Sequence, residues 1–358
     1  MLVILCVKRG SKMDLLSYFS MIKLKQQVNK DRVRVDFLYN HPFRFICISL
    51  IKPFRRIYRF IKYQKLSNLV LSQKPAGKYN SSCFIDISKL DENNNIYSIN
   101  LLLSEKNKHV SNDGSFELNK IKPNTDNKKL IIVHAFYQRE AEEIFNRLVA
   151  FTDYDIVITS PYNNIICKAK EILGQERVIG FIMPNYGRDI LPFLICLQLI
   201  VIEKYEYFVK VHTKRSQHLN DNGAWFNNNL DYLVGNKNAT DGLFSIMSDD
   251  EPQIYGEYIL PIQDHIANNI HWLTYLLEKE PASVEASFIP GTMFIGNRAF
   301  LVLIRDLQLH LFQIEKENGQ LDGCCVHAIE RYFGYIASVN GGKCCSIETL
   351  IMNGMFHK

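Results

Sequence analysis

The chain is expected to be an α/β protein with a mostly parallel sheet and helices on both faces, preceded by a basic helical extension. Three features lead there. Strand-like and helix-like segments alternate from Leu130 onward. The strand-like segments hold continuous runs such as Ile131-Ile132-Val133 and Ile156-Val157-Ile158, as strands buried on both faces do. Positive charge is concentrated in the first 75 residues rather than spread along the chain.

The alternation reads in order. Strand-like 130–137 precedes helical 141–151, strand-like 154–161 precedes helical 163–173, strand-like 177–185 leads into helical 190–205, and strand-like 207–216 follows. Four strands joined by three helices imply a parallel sheet with right-handed crossovers. The 358 residues, 47% hydrophobic, exceed the usual single-domain size, so one large domain with an appendage is expected. The divisions fall at 1–75, a basic membrane-surface segment; 76–129, a linker or small extra layer rich in Asn, Ser, Lys and Asp; and 130–358, the main domain.

Residues 1–75 carry 16 Lys and Arg against 3 Asp and Glu, leaving 26 against 34 for the remainder. An acidic remainder is a poor platform for phosphate backbones, so an anionic membrane is the expected partner of the basic end, not nucleic acid. Between Pro42 and Leu71, Phe43, Ile46, Leu50, Phe54, Ile57, Ile61 and Leu66 recur at helical spacing among seven Lys and Arg, with Pro53 breaking the run. The plainer alternative is a surface helix packed on the main domain. The longest uncharged apolar run, Ile190 to Ile202, has 13 residues, short of the roughly 20 that span a bilayer. Met1–Val7 is followed rather than preceded by charge, which argues against a secretory signal. The nine cysteines are scattered and include the adjacent pairs Cys324-Cys325 and Cys344-Cys345, which fits a reduced, cytoplasmic chain. No Cys/His spacing resembles a zinc site, so no metal and no cofactor is expected.

In open α/β sheets ligands bind beyond the carboxyl ends of the strands. Those ends carry His134 and Tyr137, then Thr159 and Ser160, then Asn185, Arg188 and Asp189, then Lys210, His212, Thr213 and Lys214. Singly each has a plain role: Asp189 as a helix cap, Lys214 as a solvated charge. Together they make an anion site, with a nucleotide diphosphate the obvious anion. Strand alternation puts Lys210, His212 and Lys214 on one face and Val211 and Thr213 on the other.

Asn185-Tyr186-Gly187-Arg188-Asp189, Val211-His212-Thr213-Lys214-Arg215-Ser216, Trp225, Pro290-Gly291-Thr292-Met293-Phe294, and Asp322-Gly323 followed by His327-Ala328-Ile329-Glu330-Arg331 resemble, in order and spacing, the rhamnan synthesis protein F family. The resemblance runs from about Leu130 to about Gly334. It implies a GT-A-like glycosyltransferase that takes a sugar from a nucleotide donor such as dTDP-rhamnose to a lipid-linked glycan of a bacterial surface polysaccharide or O-antigen. The expected location is the cytoplasmic face of the inner membrane. Many GT-A enzymes hold a metal with Asp-x-Asp after the fourth strand, where this chain has His212-Thr213-Lys214. Asp153-Tyr154-Asp155 precedes its strand and reads as structural, while Lys210, Lys214, Arg215 and Arg188 are expected to neutralise the diphosphate. Gly291, Met293 and His327 fall on the acceptor side, although 288–300 reads equally as a core strand with Pro-Gly punctuation. Asp322 is the first candidate for the general base of an inverting transfer and Glu330 the second, with a Glu330-Arg331 ion pair as the plain alternative. Galactosyl or galactofuranosyl transfer, or a non-catalytic membrane scaffold, are the competing readings.

Overall fold

The computed structural model describes residues 85–91, 96–101, 121, 123, 125–213, 223–263, 269–277, 284–306 and 322–356. The basic segment 1–75, Lys214, Arg215 and Ser216 lie outside the described residues. The strands are β1 (Ile85–Asp91), β2 (Ile96–Leu101), β3 (Lys129–His134), β4 (Tyr154–Ser160), β5 (Val178–Ile182), β6 (Tyr207–His212), β7 (Gln253–Gly256), β8 (Leu260–Pro261), β9 (Ser287–Phe288), β10 (Phe294–Asn297) and β11 (Lys343–Ser346). The helices are α1 (Gln138–Leu148), α2 (Asn163–Leu173), α3 (Ile190–Leu199), α4 (Ala224–Leu233), α5 (Lys237–Ser245), α6 (Ile270–Leu277), α7 (Arg298–Asp306), α8 (Cys325–Val339) and α9 (Ile347–Met352).

The main sheet runs β1-β2-β5-β4-β3-β6-β10-β7-β11, with β8 and β9 pairing separately. Neighbours from β2 through β6 are parallel, as are β7 and β11. Within this sheet, among the described residues, β1 and β10 run against their neighbours, and β8 and β9 are antiparallel to each other. The 76–129 stretch thus lends β1 and β2 to one edge of the sheet.

Strand alternation divides two cores. Leu130, Ile132, Val157 and Phe208 face α3, α6, α7 and α8, whereas Ile131, Val133, Ile156, Ile158, Val209 and Val211 face α1, α2, α4 and α5. Helices therefore cover both faces, as the continuous apolar strands require. Helix α1 presents Ala141, Ile144, Phe145 and Leu148 at i, i+3, i+4 and i+7 to its core. Helix α3 is apolar all round because it is buried all round, from Ile190 to Leu197. Pro192 is tolerated in its first turn, where backbone N–H groups lack helical partners. The helix ends at Leu199, short of the expected residue 205, because the β-branched Ile200 turns extended and bridges to Ile121, after which Ile202–Lys204 makes a single 3₁₀ turn. Ile121 N–H donates to Leu199 O (2.7 Å) and Val201 N–H to Ile121 O (3.1 Å).

At the amino end of the sheet, Asp153 meets Lys129 (3.1 Å) and Lys237 (3.0 Å). Asp155 is fully buried at the start of β4. It accepts from Thr125 (2.6 Å), Asn127 (3.0 Å), Lys204 Nζ (2.5 Å) and Tyr205 OH (2.9 Å). Both carboxylates of Asp153-Tyr154-Asp155 are engaged in holding the amino edge, at the end of the sheet opposite the polar strand ends. Truncating Asp155 leaves Lys204 and Tyr205 without this acceptor in a closed space, so Asp155→Ala is expected to cost about 3–5 kcal/mol, read from urea denaturation midpoints; a loss below about 0.5 kcal/mol would show the network to be slack.

Candidate functional site

The parallel strands β3, β4, β5 and β6 deliver their carboxyl ends to one side, in a register that pairs His134 with Thr159 on one hand and His212 on the other. His134 Nδ1 lies 2.9 Å from Thr159 Oγ1. Burial drives the His134 imidazole down to about 4; Asp189 opposes the shift, while His212 and Lys210 reinforce it. The ring is therefore neutral at pH 7. Thr213 N–H donates to His134 O (3.1 Å), and its hydroxyl accepts from the amides of Phe136 (2.8 Å) and Tyr137 (3.1 Å), tying the end of β6 to the loop that opens α1. Tyr137 and Tyr162 are exposed and flank Phe136, with ring centroids 5.0 and 5.6 Å away.

Lys210 points from β6 into the core beneath α3, where its ammonium lies 5.4 Å from the Phe193 ring centroid and 5.7 Å from that of Phe294. It is 2% exposed. Its Nζ donates to Asp189 Oδ2 (2.5 Å), Thr292 O (2.9 Å) and Thr292 Oγ1 (3.0 Å), and the Thr292 hydroxyl donates to the same Asp189 oxygen. Asp189 is the residue before α3, yet its side chain makes no cap bond to that helix, because Lys210 and Thr292 claim the carboxylate. Burial alone would raise Asp189, but Lys210, then His212, hold it far below the usual carboxylate range. Burial pulls the Lys210 ammonium down against the opposing charge of Asp189.

His212, two residues along the same face, reaches Gly291 O from Nε2 (2.6 Å). The other side of that glycine, its N–H, donates to Glu330 Oε1 on α8. Gly291 adopts φ 81° and lies against Trp225, where a Cβ would come within 2.3 Å of Cζ2. The close approach that this glycine permits is therefore to an indole, itself 6.1 Å from the His212 ring. Thr292 follows with φ 56°, and across the site Gly187 and Arg188 show the same sequence of left-handed residues, at 65° and 56°. Left-handed non-glycine residues cost on the order of 1–3 kcal/mol and persist where surrounding bonds over-determine them.

Arg188 Nη1 lies 2.6 Å from His327 Nε2 on α8. The other ring nitrogen, Nδ1, accepts from Cys324 N–H (3.2 Å) in a capping box and lies 3.8 Å from Asp322 Oδ1. Asp322 accepts from Asn269 Nδ2 (2.7 Å). Burial would raise its pKa, but the Asn269 bond, Arg331, the Gly323 amide and His327 together lower it.

The structure thus joins Arg188, His327 and Asp322 in one cluster, and Lys210, His212, Asp189, Gly291 and Glu330 in another. Asn185 is exposed on the loop after β5. Met293 is buried in the core of the α1, α2 and α4 face, whereas Pro290 and Gly291 are half-buried. Arg331 turns its guanidinium over the Phe288 ring (4.7 Å) and donates to His327 O (3.0 Å). Sequence reasoning passed over Thr292 and Asn269. Thr292 carries a weak signal, since it follows Pro-Gly; Asn269 carries none, being brought to Asp322 from 53 positions away. Among the described residues no group of three or more His, Cys, Asp or Glu side chains gathers as a metal-binding set, and no described helix is long and apolar enough to cross a membrane.

Fold and site together define an α/β protein whose polar side chains converge beyond the carboxyl ends of a parallel sheet, on two left-handed turns and the start of one helix. The chain belongs to the rhamnan synthesis protein F family, matched over residues 60–341. That match reaches further toward the amino end than the resemblance read from the sequence, which begins near Leu130. The chain is also 30% identical over 233 residues to WxcX, an uncharacterized protein, from two strains of Xanthomonas campestris pv. campestris, covering 61% of this chain and 32% of the relative. The chain thus spans about a third of the length of these curated relatives. No solved structure gives a significant match.

Two expectations follow. Because His134 is depressed in the fold, the unfolded chain binds its proton first on acidification, so its contribution to stability is complete above pH 6.5 and is lost as pH falls toward 4. The loss amounts to about 3 kcal/mol, and the stability difference between the native chain and His134→Gln, followed by denaturant titration over that window, should shrink accordingly. Separately, Lys210→Ala strands the Asp189 carboxylate and is expected to destabilise by about 3–5 kcal/mol. A double substitution of Lys210 and Asp189 by apolar residues should recover part of that loss, and no recovery would mean that the two charges do not act as a pair.

Proposed function

We propose that the chain is a glycosyltransferase that moves a sugar, with rhamnose the first candidate, from a nucleoside-diphosphate donor onto a lipid-linked glycan during bacterial surface-polysaccharide assembly. In this reading it works at the cytoplasmic face of the membrane, attached through the basic segment 1–75. The description of the sheet as GT-A-like belongs to the same proposal.

The observation that carries it is the meeting of Arg188 and His327. Arg188 Nη1 lies at hydrogen-bond distance from His327 Nε2, 2.6 Å, and that contact holds the guanidinium, a fork of donors, in place. A guanidinium held in this way is the group that meets an anionic phosphate oxygen with charge-assisted bonds. Both residues stand on the carboxyl side of the sheet, where ligands of open α/β sheets bind. Asp322, a carboxylate held ionised, stands beside them.

The chemistry follows. The acceptor hydroxyl oxygen forms a bond to the anomeric carbon on the face opposite the leaving group, giving inversion. The bond from that carbon to the diphosphate breaks with its electron pair, and the hydroxyl proton passes to Asp322. Charge develops on the leaving diphosphate, where Arg188, and Lys214 with Arg215, supply positive charge without an Asp-x-Asp metal set. Lys210, neutralised by Asp189, shapes the site rather than meeting the phosphates.

The test is a panel of nucleotide sugars incubated with the full chain and a lipid-linked acceptor, scored by release of nucleoside diphosphate. Release from one dTDP-sugar above the others is expected, and Arg188→Ala is expected to weaken nucleoside-diphosphate binding by about 1–3 kcal/mol in calorimetry. Binding that is unchanged in Arg188→Ala would remove the donor site from this cluster; no release from any sugar would favour a non-catalytic role.

A further inference from the structure

Helix α8 carries His327, Glu330 and Gly334 at spacings of three and four, so they share one face. That face lies along the segment 287–292. Gly334 sits so close to Ser287 that a Cβ would fall 1.9 Å from its carbonyl oxygen, which fixes the depth at which the helix packs on β9. One turn earlier Glu330 accepts the N–H of Gly291. One turn earlier again His327 meets Arg188.

The Gly291 turn is held from several sides at once. Its N–H goes to Glu330, its carbonyl to His212, and the next carbonyl and hydroxyl to Lys210. These partners come from α8 and β6, so the turn is a bridge between the helix that bears His327 in its first turn, with Asp322 just ahead of it, and the strand whose end lines the site. A carboxylate that already accepts from the backbone of such a turn is placed to set geometry. Taking a proton, even on its other oxygen, would remove the charge that strengthens this bond.

We propose that Glu330 is a positioning residue: by gripping the Gly291 amide it sets the axial position of α8, and with it the placement of His327 and Asp322 against Arg188, while the proton of the transfer goes elsewhere. The clamp stands on the geometry alone, whereas its service to catalysis rests on the glycosyltransferase reading.

The experiment uses the full chain with Glu330→Gln, which keeps an acceptor oxygen, and Glu330→Ala, which removes it. Amide hydrogen exchange at Gly291 should be at least about 10-fold faster in Glu330→Ala, with Glu330→Gln close to the native rate. With the nucleotide sugar that the native chain turns over, Glu330→Gln should recover most of the rate that Glu330→Ala loses and keep the native pH profile. Native exchange at Gly291 in Glu330→Ala would overturn the clamp. A Glu330→Gln chain with native exchange but a rate lowered by about 10²–10⁴-fold would overturn the positioning role and make Glu330 the proton acceptor. If the native chain turns over no nucleotide sugar, the glycosyltransferase reading fails while the exchange measurement still decides the clamp.

Discussion

Lys210 carries a charge into a core lined by phenylalanine rings, and the site is arranged around how that charge is answered. Phe193, Phe208, Phe294, Phe300 and Phe333 form a connected aromatic cluster from α3, β6, β10, α7 and α8, with neighbouring centroids 5.9–6.3 Å apart. An isolated ammonium here would cost several kcal/mol or lose its proton. Asp189 and the carbonyl and hydroxyl of Thr292 answer all of its donor capacity. In doing so they draw the residue before α3 and the turn before β10 to the same point, so one buried charge joins two loops that are 103 residues apart.

Both loops carry a glycine followed by a left-handed residue, Arg188 in one and Thr292 in the other. Neither backbone is favoured locally. Each is kept because the next atoms along are bonded: Asp189 to Lys210 beside Arg188, and the Thr292 side chain and carbonyl directly. Strain of this kind, held by a network and placed beyond the carboxyl ends of parallel strands, is characteristic of sites that must present groups at set distances. The direct consequence is the position of Arg188, which is turned toward α8 and His327 instead of following its loop into solvent.

Much of the architecture was legible because it depends on short-range pattern. Short β-branched runs such as Ile156-Val157-Ile158 fit strands covered on both faces, and the 163–173 helix was readable to the residue because its apolar spacing is regular. The end of α3 was not, since Ile200-Val201-Ile202 is as apolar as the helix before it, and the extended form of Ile200 depends on Ile121 arriving from elsewhere. Among site residues, the shared face of Lys210 and His212 was legible from alternation alone. Their partners were not: alternation states which way a side chain points and is silent on what lies opposite. Lys210 therefore read as a phosphate-facing cation, whereas the structure engages it with Asp189 and Thr292.

By itself, the sequence determined the parallel sheet, the two helix layers, the strand ends where polar residues gather and the basic character of the first 75 residues. All of these follow from hydrophobic period and charge, which are local properties. The tertiary structure alone decided which polar groups meet: Asp189 with Lys210, His212 and Glu330 on either side of Gly291, and Arg188 with His327. Each of those contacts joins residues far apart in the chain. Which of them meet is set by the depth at which helices pack on the sheet and by turns held against their own backbone preference, and neither is written in any single stretch of sequence.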